Sequence, residues 1–280
     1  MKSVLITGCS SGLGRGMVNE FLLRGWYVFC TMRNLEQRRQ IFADIQEKYP
    51  DKLTLLNLEV TEASQRDAVV KFVQQSGGLD CLINNAGFGL LGALENVSES
   101  QFRYQMEVNF YAPVFLTRAL LPLLRQQNGN VIFISSVCGS LGFPLMAAYC
   151  ASKHALEGLA ESLYYELEPH GVDVTLLELG LSKTNFGQNT IWGIGQEEAY
   201  RQHTENYHQW KASLSDKARD KTLRVALRVA DIAEGKRRQL RERVDAETNL
   251  TSFFEKILPE KFWVQAMKVF YRQKIFARQR

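Results

Sequence analysis

Nowhere in the 280 residues does an apolar run approach the roughly 18 that a membrane-spanning helix requires. The short segment Val4-Leu5-Ile6 behind Met1 gives way at once to glycines, so neither an anchor nor a secretory leader is expected. Cysteine is sparse: the five (Cys9, Cys30, Cys81, Cys138, Cys150) are odd in number, spread out, and contain no C-x-x-C pair. That argues against a disulfide framework or a zinc site, and for a reducing, cytoplasmic setting. The four histidines are scattered, and no metal site is expected. Low-complexity stretches, internal repeats and any nucleic-acid-reading module are also missing, so nucleic acid is not an expected partner.

What is present is 45% hydrophobic and 23% charged, an ordinary globular composition able to bury a large core in one elaborated domain. The formal charge of +4 conceals an asymmetry. Residues 1–216 carry 17 Lys and Arg against 22 Asp and Glu, a net −5, whereas residues 217–280 carry 17 against 8, a net +9.

Along residues 3 to 177, apolar strand-like runs alternate with segments of helical period. The alternation predicts an α/β fold: a single doubly wound parallel sheet of Rossmann type, helices on both faces, and a helical C-terminal extension. The first strand ends in Gly8-Cys9-Ser10-Ser11-Gly12-Leu13-Gly14, where glycines allow a sharp turn and close approach of a diphosphate to a helix N-terminus. Past the second strand, Arg33 is either a surface arginine or a charge offered to an adenosine 2′-phosphate, which favours NADP(H) with NAD(H) as the alternative. Glu59 and Val60 end the third strand by the adenine, and Asn84-Asn85-Ala86-Gly87 closes the fourth as a capped turn or a cofactor wall.

Residues 99 to 124 read as one long helix bent at Pro113, with Asn109 inside it as either a satisfied core amide or a water-holding relay. Ser136 emerges at the carboxyl end of the buried strand Val131 to Ile134, where open α/β sheets bind ligands. Tyr149 and Lys153, four apart, share one helix face, and an ammonium held beside a phenol favours the phenolate.

These residues together resemble the short-chain dehydrogenase/reductase superfamily over roughly positions 3 to 186. The matching elements are Thr7-Gly8-x3-Gly12-x-Gly14, Asn84-Asn85-Ala86-Gly87, Asn109, Ser136 and Tyr149-x3-Lys153. Tyr149 to Leu159 and Cys9-Ser10-Ser11 resemble the branch holding the estrogenic 17β-hydroxysteroid dehydrogenase and retinol dehydrogenases. The resemblance implies hydride transfer to or from a carbonyl carbon, without a metal. In it, Tyr149 is the general acid/base, Lys153 lowers its pKa and bonds the nicotinamide ribose, Ser136 orients the substrate oxygen, and Asn109 holds a relay water. It also implies Thr184 as the carboxamide contact, Ser10 and Arg33 as NADP(H) determinants, and pairing of two copies through the Glu99 and Tyr149 helices into a homodimer. The chain departs from the family pattern at Glu59, often aspartate, and at Leu179-Gly180, usually Pro-Gly.

The expected division is a core over 1–184, a substrate lid over 185–216 and a basic extension over 217–280. The lid's Phe186, Ile191, Trp192, Ile194 and Tyr200 are either a packed loop or a cover for an apolar carbonyl or alcohol of steroid, retinoid or acyl type, with Phe186 on the substrate. After Pro259, apolar Phe262, Trp263, Ala266, Met267, Phe270 and Tyr271 stand opposite Lys261, Lys268, Arg272 and Arg278. Such a helix lies peripherally on an anionic membrane, covers the pocket, or packs on a second subunit.

Overall fold

The computed structural model describes residues 1–180, 189–217 and 220–276. Its first half runs β1 (Ser3–Ile6), α1 (Gly12–Leu23), β2 (Tyr27–Met32), α2 (Leu35–Arg38), α3 (Ala43–Lys48), β3 (Leu53–Asn57), α4 (Ala63–Gln75), β4 (Cys81–Asn84) and β5 (Leu90–Leu91). Then follow α5 (Glu99–Met106), α6 (Ala112–Gln127), β6 (Asn130–Ser136), α7 (Ala147–Leu167), β7 (Asp173–Leu179) and β8 (Ile191–Trp192). The chain closes with α8 (Arg201–Lys217), α9 (Thr222–Ala233), β9 (Arg241–Arg243), α10 (Ala246–Ile257) and α11 (Glu260–Lys274).

Seven strands pair in parallel in the order β3-β2-β1-β4-β6-β7-β9. The inner strands are apolar on both faces because both faces are covered. On one side, Met17, Val18 and Phe21 of α1 and Val225, Val229 and Ala230 of α9 cover the sheet. On the other, Val69 and Val73 of α4, Leu116 and Leu120 of α6, and Leu156 and Ala160 of α7 do so. Since every strand runs the same way, β1, β4 and β6 deliver Thr7, Asn85 and Ser136 to one edge.

The seventh strand escapes any hydrophobic pattern, because Arg241-Glu242-Arg243 is held by charge. Arg241 Nε lies 3.1 Å from Glu157 and its Nη2 2.9 Å from Glu161, while Arg243 Nε lies 2.6 Å from Glu178, which is fully buried.

One further expectation is corrected. The long helix of 99 to 124 is interrupted: α5 and α6 are joined by a π turn over Glu107–Tyr111, with Asn109 at its centre. Pro113 lacks an N–H, so position 113 offers no donor to the Asn109 carbonyl. Within the segment 185–216 expected as a lid, α8 is a regular helix and β8 pairs with β5 in a separate two-stranded sheet.

Candidate active site

The glycine turn is built by close approach. Gly8 has φ +72°, and a Cβ there would sit 2.9 Å from Ala86 Cα; one on Gly14 would clash with the Gly8 carbonyl. Asn85 clamps the turn, its Nδ2 donating to the Thr7 carbonyl at 2.7 Å and to that of Gly8 at 3.2 Å. The Thr7 hydroxyl answers by accepting from the amides of Asn85 and Ala86, each at 2.9 Å.

A cavity of about 440 Å³ opens against this turn. Gly8, Ser10, Ser11, Gly12 and Leu13 form its floor; Arg33, Glu59 and Val60 stand at one end, and Asn85, Ala86 and Gly87 along the wall. Gly14 stays behind, spacing α1 from β1. Ser11 caps α1 without a side-chain bond, leaving the first-turn amides to whatever enters. Arg38, not anticipated from the sequence, lines the same end and donates to Ser10 Oγ at 3.1 Å, while Arg33 lies 3.8 Å from Glu59. Two guanidiniums and a hydroxyl around one corner suit a phosphomonoester, and the bare-backbone turn suits a diphosphate. The residues present therefore fit a dinucleotide carrying a 2′-phosphate. Met32, Leu58, Phe88, Tyr104, Val108, Asn189 and Ile191 complete the lining.

Ser136, Tyr149 and Lys153 do not line that cavity among its described residues; they gather beyond its wall. Asn109 joins the two parts. Its Nδ2 donates to the Phe88 carbonyl at 2.9 Å and to Ser152 Oγ at 3.2 Å, and its Oδ1 accepts from the Phe88 amide at 3.1 Å. The side chain is thus a satisfied core amide, and any relay through Asn109 falls to its main chain. In the cluster, Ser136 stands beside the Tyr149 phenol and works to lower its pKa, and the Ser136 hydroxyl accepts from the Cys138 amide at 3.2 Å.

Burial lifts Tyr149 above the ordinary phenol value, the Cys138 side chain adds to this, and Ser136 opposes it. Lys153 Nζ donates to the Ile134 carbonyl at 2.8 Å and stands 5.9 Å from the Tyr149 ring centroid. Burial lowers Lys153 itself to about 8, against partial support from Glu157 and Cys138. Cys138 and Cys150 lie beside the phenol, and the Cys138 thiol is pushed well up by its bond with Cys150 and by burial.

Opposite this cluster stand α8 and α11. Burial raises Tyr207, and pushes Tyr271 up to about 12, and both feel Cys138 and Cys150. Around them pack Leu91, Leu145, Trp192, Trp210 and Ile275. Gly180 does not reach the cavity; a Cβ on it would lie 2.6 Å from Thr248 Oγ1. Thr184 and Phe186 lie outside the described residues. No group of metal-ligating side chains exists among the described residues.

Comparison with known proteins agrees with this construction. The family model described as "short chain dehydrogenase" matches residues 2–192. An NADPH-dependent 3-dehydrocapnine reductase of Ornithobacterium rhinotracheale is 34% identical over 241 residues, 83% of this chain and 82% of that protein. Human 17-beta-hydroxysteroid dehydrogenase type 1 is 35% identical over 218 residues, 76% of this chain and 66% of that one. A crystal structure of a short-chain dehydrogenase from Streptomyces avermitilis superposes with a TM-score of 0.81 at 31% identity, covering 96% of this chain and 98% of the other. The chain belongs to the short-chain dehydrogenase family, and it is an oxidoreductase of alcohol and carbonyl groups that uses a nicotinamide dinucleotide.

Proposed function

We propose that this short-chain dehydrogenase works chiefly as an NADP(H)-dependent reductase, converting a ketone or aldehyde on a lipophilic substrate of steroid, retinoid or acyl type to the alcohol. When bound, NADP(H) supplies the hydride. The chain's own side chains manage the oxygen. Tyr149 gives its proton to the carbonyl oxygen as negative charge develops there, and Ser136 donates to the same oxygen. Lys153 keeps a positive charge one helical turn from the phenol. Asn109 fixes the wall at Phe88 against α7, so that cofactor and proton donor keep one spacing. Ser10, Arg33 and Arg38 would hold the 2′-phosphate, and the glycine turn the diphosphate.

The observation that carries the reading is the buried Tyr149 phenol with Ser136 and Lys153 gathered beside it. A phenol lifted by burial is protonated at neutral pH, which is the form reduction consumes and oxidation does not. The apolar substrate class is supported by the aromatic packing around Tyr207 and Tyr271 and by the steroid named for the human relative. Pairing of two copies through α5, α6 and α7 is supported by exposed Tyr104, Phe115 and Tyr165 on those helices.

Tyr149→Phe tests the assignment. Carbonyl reduction should fall at least about a hundredfold, the scale of general acid catalysis, while NADPH binding followed by fluorescence stays within a few-fold. Undiminished turnover would refute the role given to Tyr149.

A further inference from the structure

The last two helices expose what a water-facing surface normally hides. On α10, Leu250, Phe253, Phe254 and Ile257, spaced to share one helix face, are 57%, 56%, 44% and 60% exposed. Past the corner at Leu258-Pro259, Phe262 is 67% exposed. Contiguous large apolar groups of this kind mark a contact surface rather than ordinary scatter.

α11 meets the body along a single line. Trp263, Met267 and Tyr271 are half-buried, Ile275 just past its end is fully buried, and the Ile275 carbonyl accepts from Asn206 Nδ2 at 2.8 Å. That line takes only part of the apolar side expected from the sequence. Phe262, Ala266 and Val269 fall on the opposite side at helical spacing and are exposed. Lys261, Lys268 and Arg272 form a row along the flank between the two.

The basic surplus of the C-terminal quarter is unevenly used. Lys221, Arg228, Arg237, Arg238, Arg241 and Arg243 are each taken up by an internal carboxylate. Among the described residues, Lys261, Lys268 and Arg272 make no ion pair. An apolar surface bordered by unneutralised cations calls for a partner that is apolar inside and anionic at its rim. A second copy brings the same cations into opposition, whereas an anionic lipid surface answers both requirements.

We propose that the α10–α11 corner docks this protein on anionic lipid bilayers as a peripheral, interfacial contact. Phe253, Phe254, Ile257 and Phe262 enter the acyl boundary, and Lys261, Lys268 and Arg272 meet the headgroups. The inner line of α11 carries Tyr271, which stands over the Tyr149 cluster, so the docked helix is also the one that flanks the site. The docking does not rest on the substrate assignment above.

The test is sedimentation of the full chain with vesicles of phosphatidylcholine alone and of phosphatidylcholine mixed with phosphatidylglycerol. Binding should require phosphatidylglycerol and weaken with salt. Phe262→Ser and, separately, the triple Lys261→Gln, Lys268→Gln, Arg272→Gln variant should each lower partitioning by about tenfold or more. Circular dichroism and carbonyl reduction in solution serve as checks that these surface variants fold. Failure of the wild-type protein to bind charged vesicles overturns the proposal, as does binding that the variants leave unchanged. So does a dimer in analytical ultracentrifugation that Phe262→Ser dissolves, which would assign the corner to self-association.

Discussion

Lys153 donates its ammonium to the carbonyl of Ile134, at 2.8 Å, and stands 5.9 Å from the Tyr149 ring centroid. The cation is buried beside Tyr149, and its proton is less firmly held than in water, with a value lowered to about 8 by burial. Positioning it has a thermodynamic consequence.

A lysine whose folded value lies below its unfolded 10.5 destabilises the fold wherever the unfolded chain binds the extra proton more readily. The penalty is fully present below about 8 and shrinks as pH rises from there toward 10.5. It amounts to roughly 3 kcal/mol. Lys153→Met should therefore raise the melting temperature of the cofactor-free protein by several degrees at pH 7, and the gain should vanish near pH 10. Calorimetry across pH checks this. A lower melting temperature at pH 7 would show that the Ile134 bond outweighs the desolvation. Carbonyl reduction by the variant should be nearly lost.

In the ionised-lysine form the free enzyme is ready for reduction, so kcat/KM for NADPH should fall on the alkaline side with an apparent pKa near 8. The Tyr149 phenol, lifted by burial, should add no second fall below that range. A profile flat to pH 10 would remove Lys153 from the cofactor's reach.

Arg38, which belongs to none of the sequence motifs, should matter to NADPH because it bonds Ser10 at 3.1 Å on the cavity's basic corner. Losing a charge-assisted bond to phosphate costs about 1.5–3 kcal/mol. Arg38→Ala should raise KM for NADPH by roughly ten- to a hundredfold, leave KM for NADH within a few-fold, and leave kcat near wild type. Equal effects on both cofactors would place the 2′-phosphate elsewhere.

Asn109→Ala removes three hydrogen bonds and leaves the partly buried Phe88 amide without its acceptor, while the Phe88 carbonyl keeps Gln105 Nε2 at 3.0 Å. The expected loss is about 2–4 kcal/mol of stability in urea titration, with KM for the dinucleotide raised because the wall it fixes lines the cavity. Retained stability would mean that water replaces the amide.

How much of this was written in the chain can be judged from individual residues. Tyr149 and Lys153 were recognisable because helical spacing is a local property, and Ser136 because an apolar run ends where a buried strand must. The π turn at Asn109 was hidden inside a pattern that reads as one helix, since a one-residue widening leaves the apolar stripe almost unchanged. Arg38 looked like any helix-surface arginine until the fold brought Ser10 to it.

Alternation of apolar runs with helical periods determined, before any coordinates, a parallel sheet with its ligand edge at Thr7, Asn85 and Ser136. Backbone periodicity and the conformational freedom of glycine operate within a few residues, so sequence alone expresses them. Only the tertiary structure decided that Arg241 to Arg243 is a strand, that burial raises the Tyr149 phenol, and that α11 divides its apolar residues between the body and the outside. Each of those depends on which groups far apart in the chain share a low-dielectric interior, and charge, burial and neighbours exist only once the chain has folded.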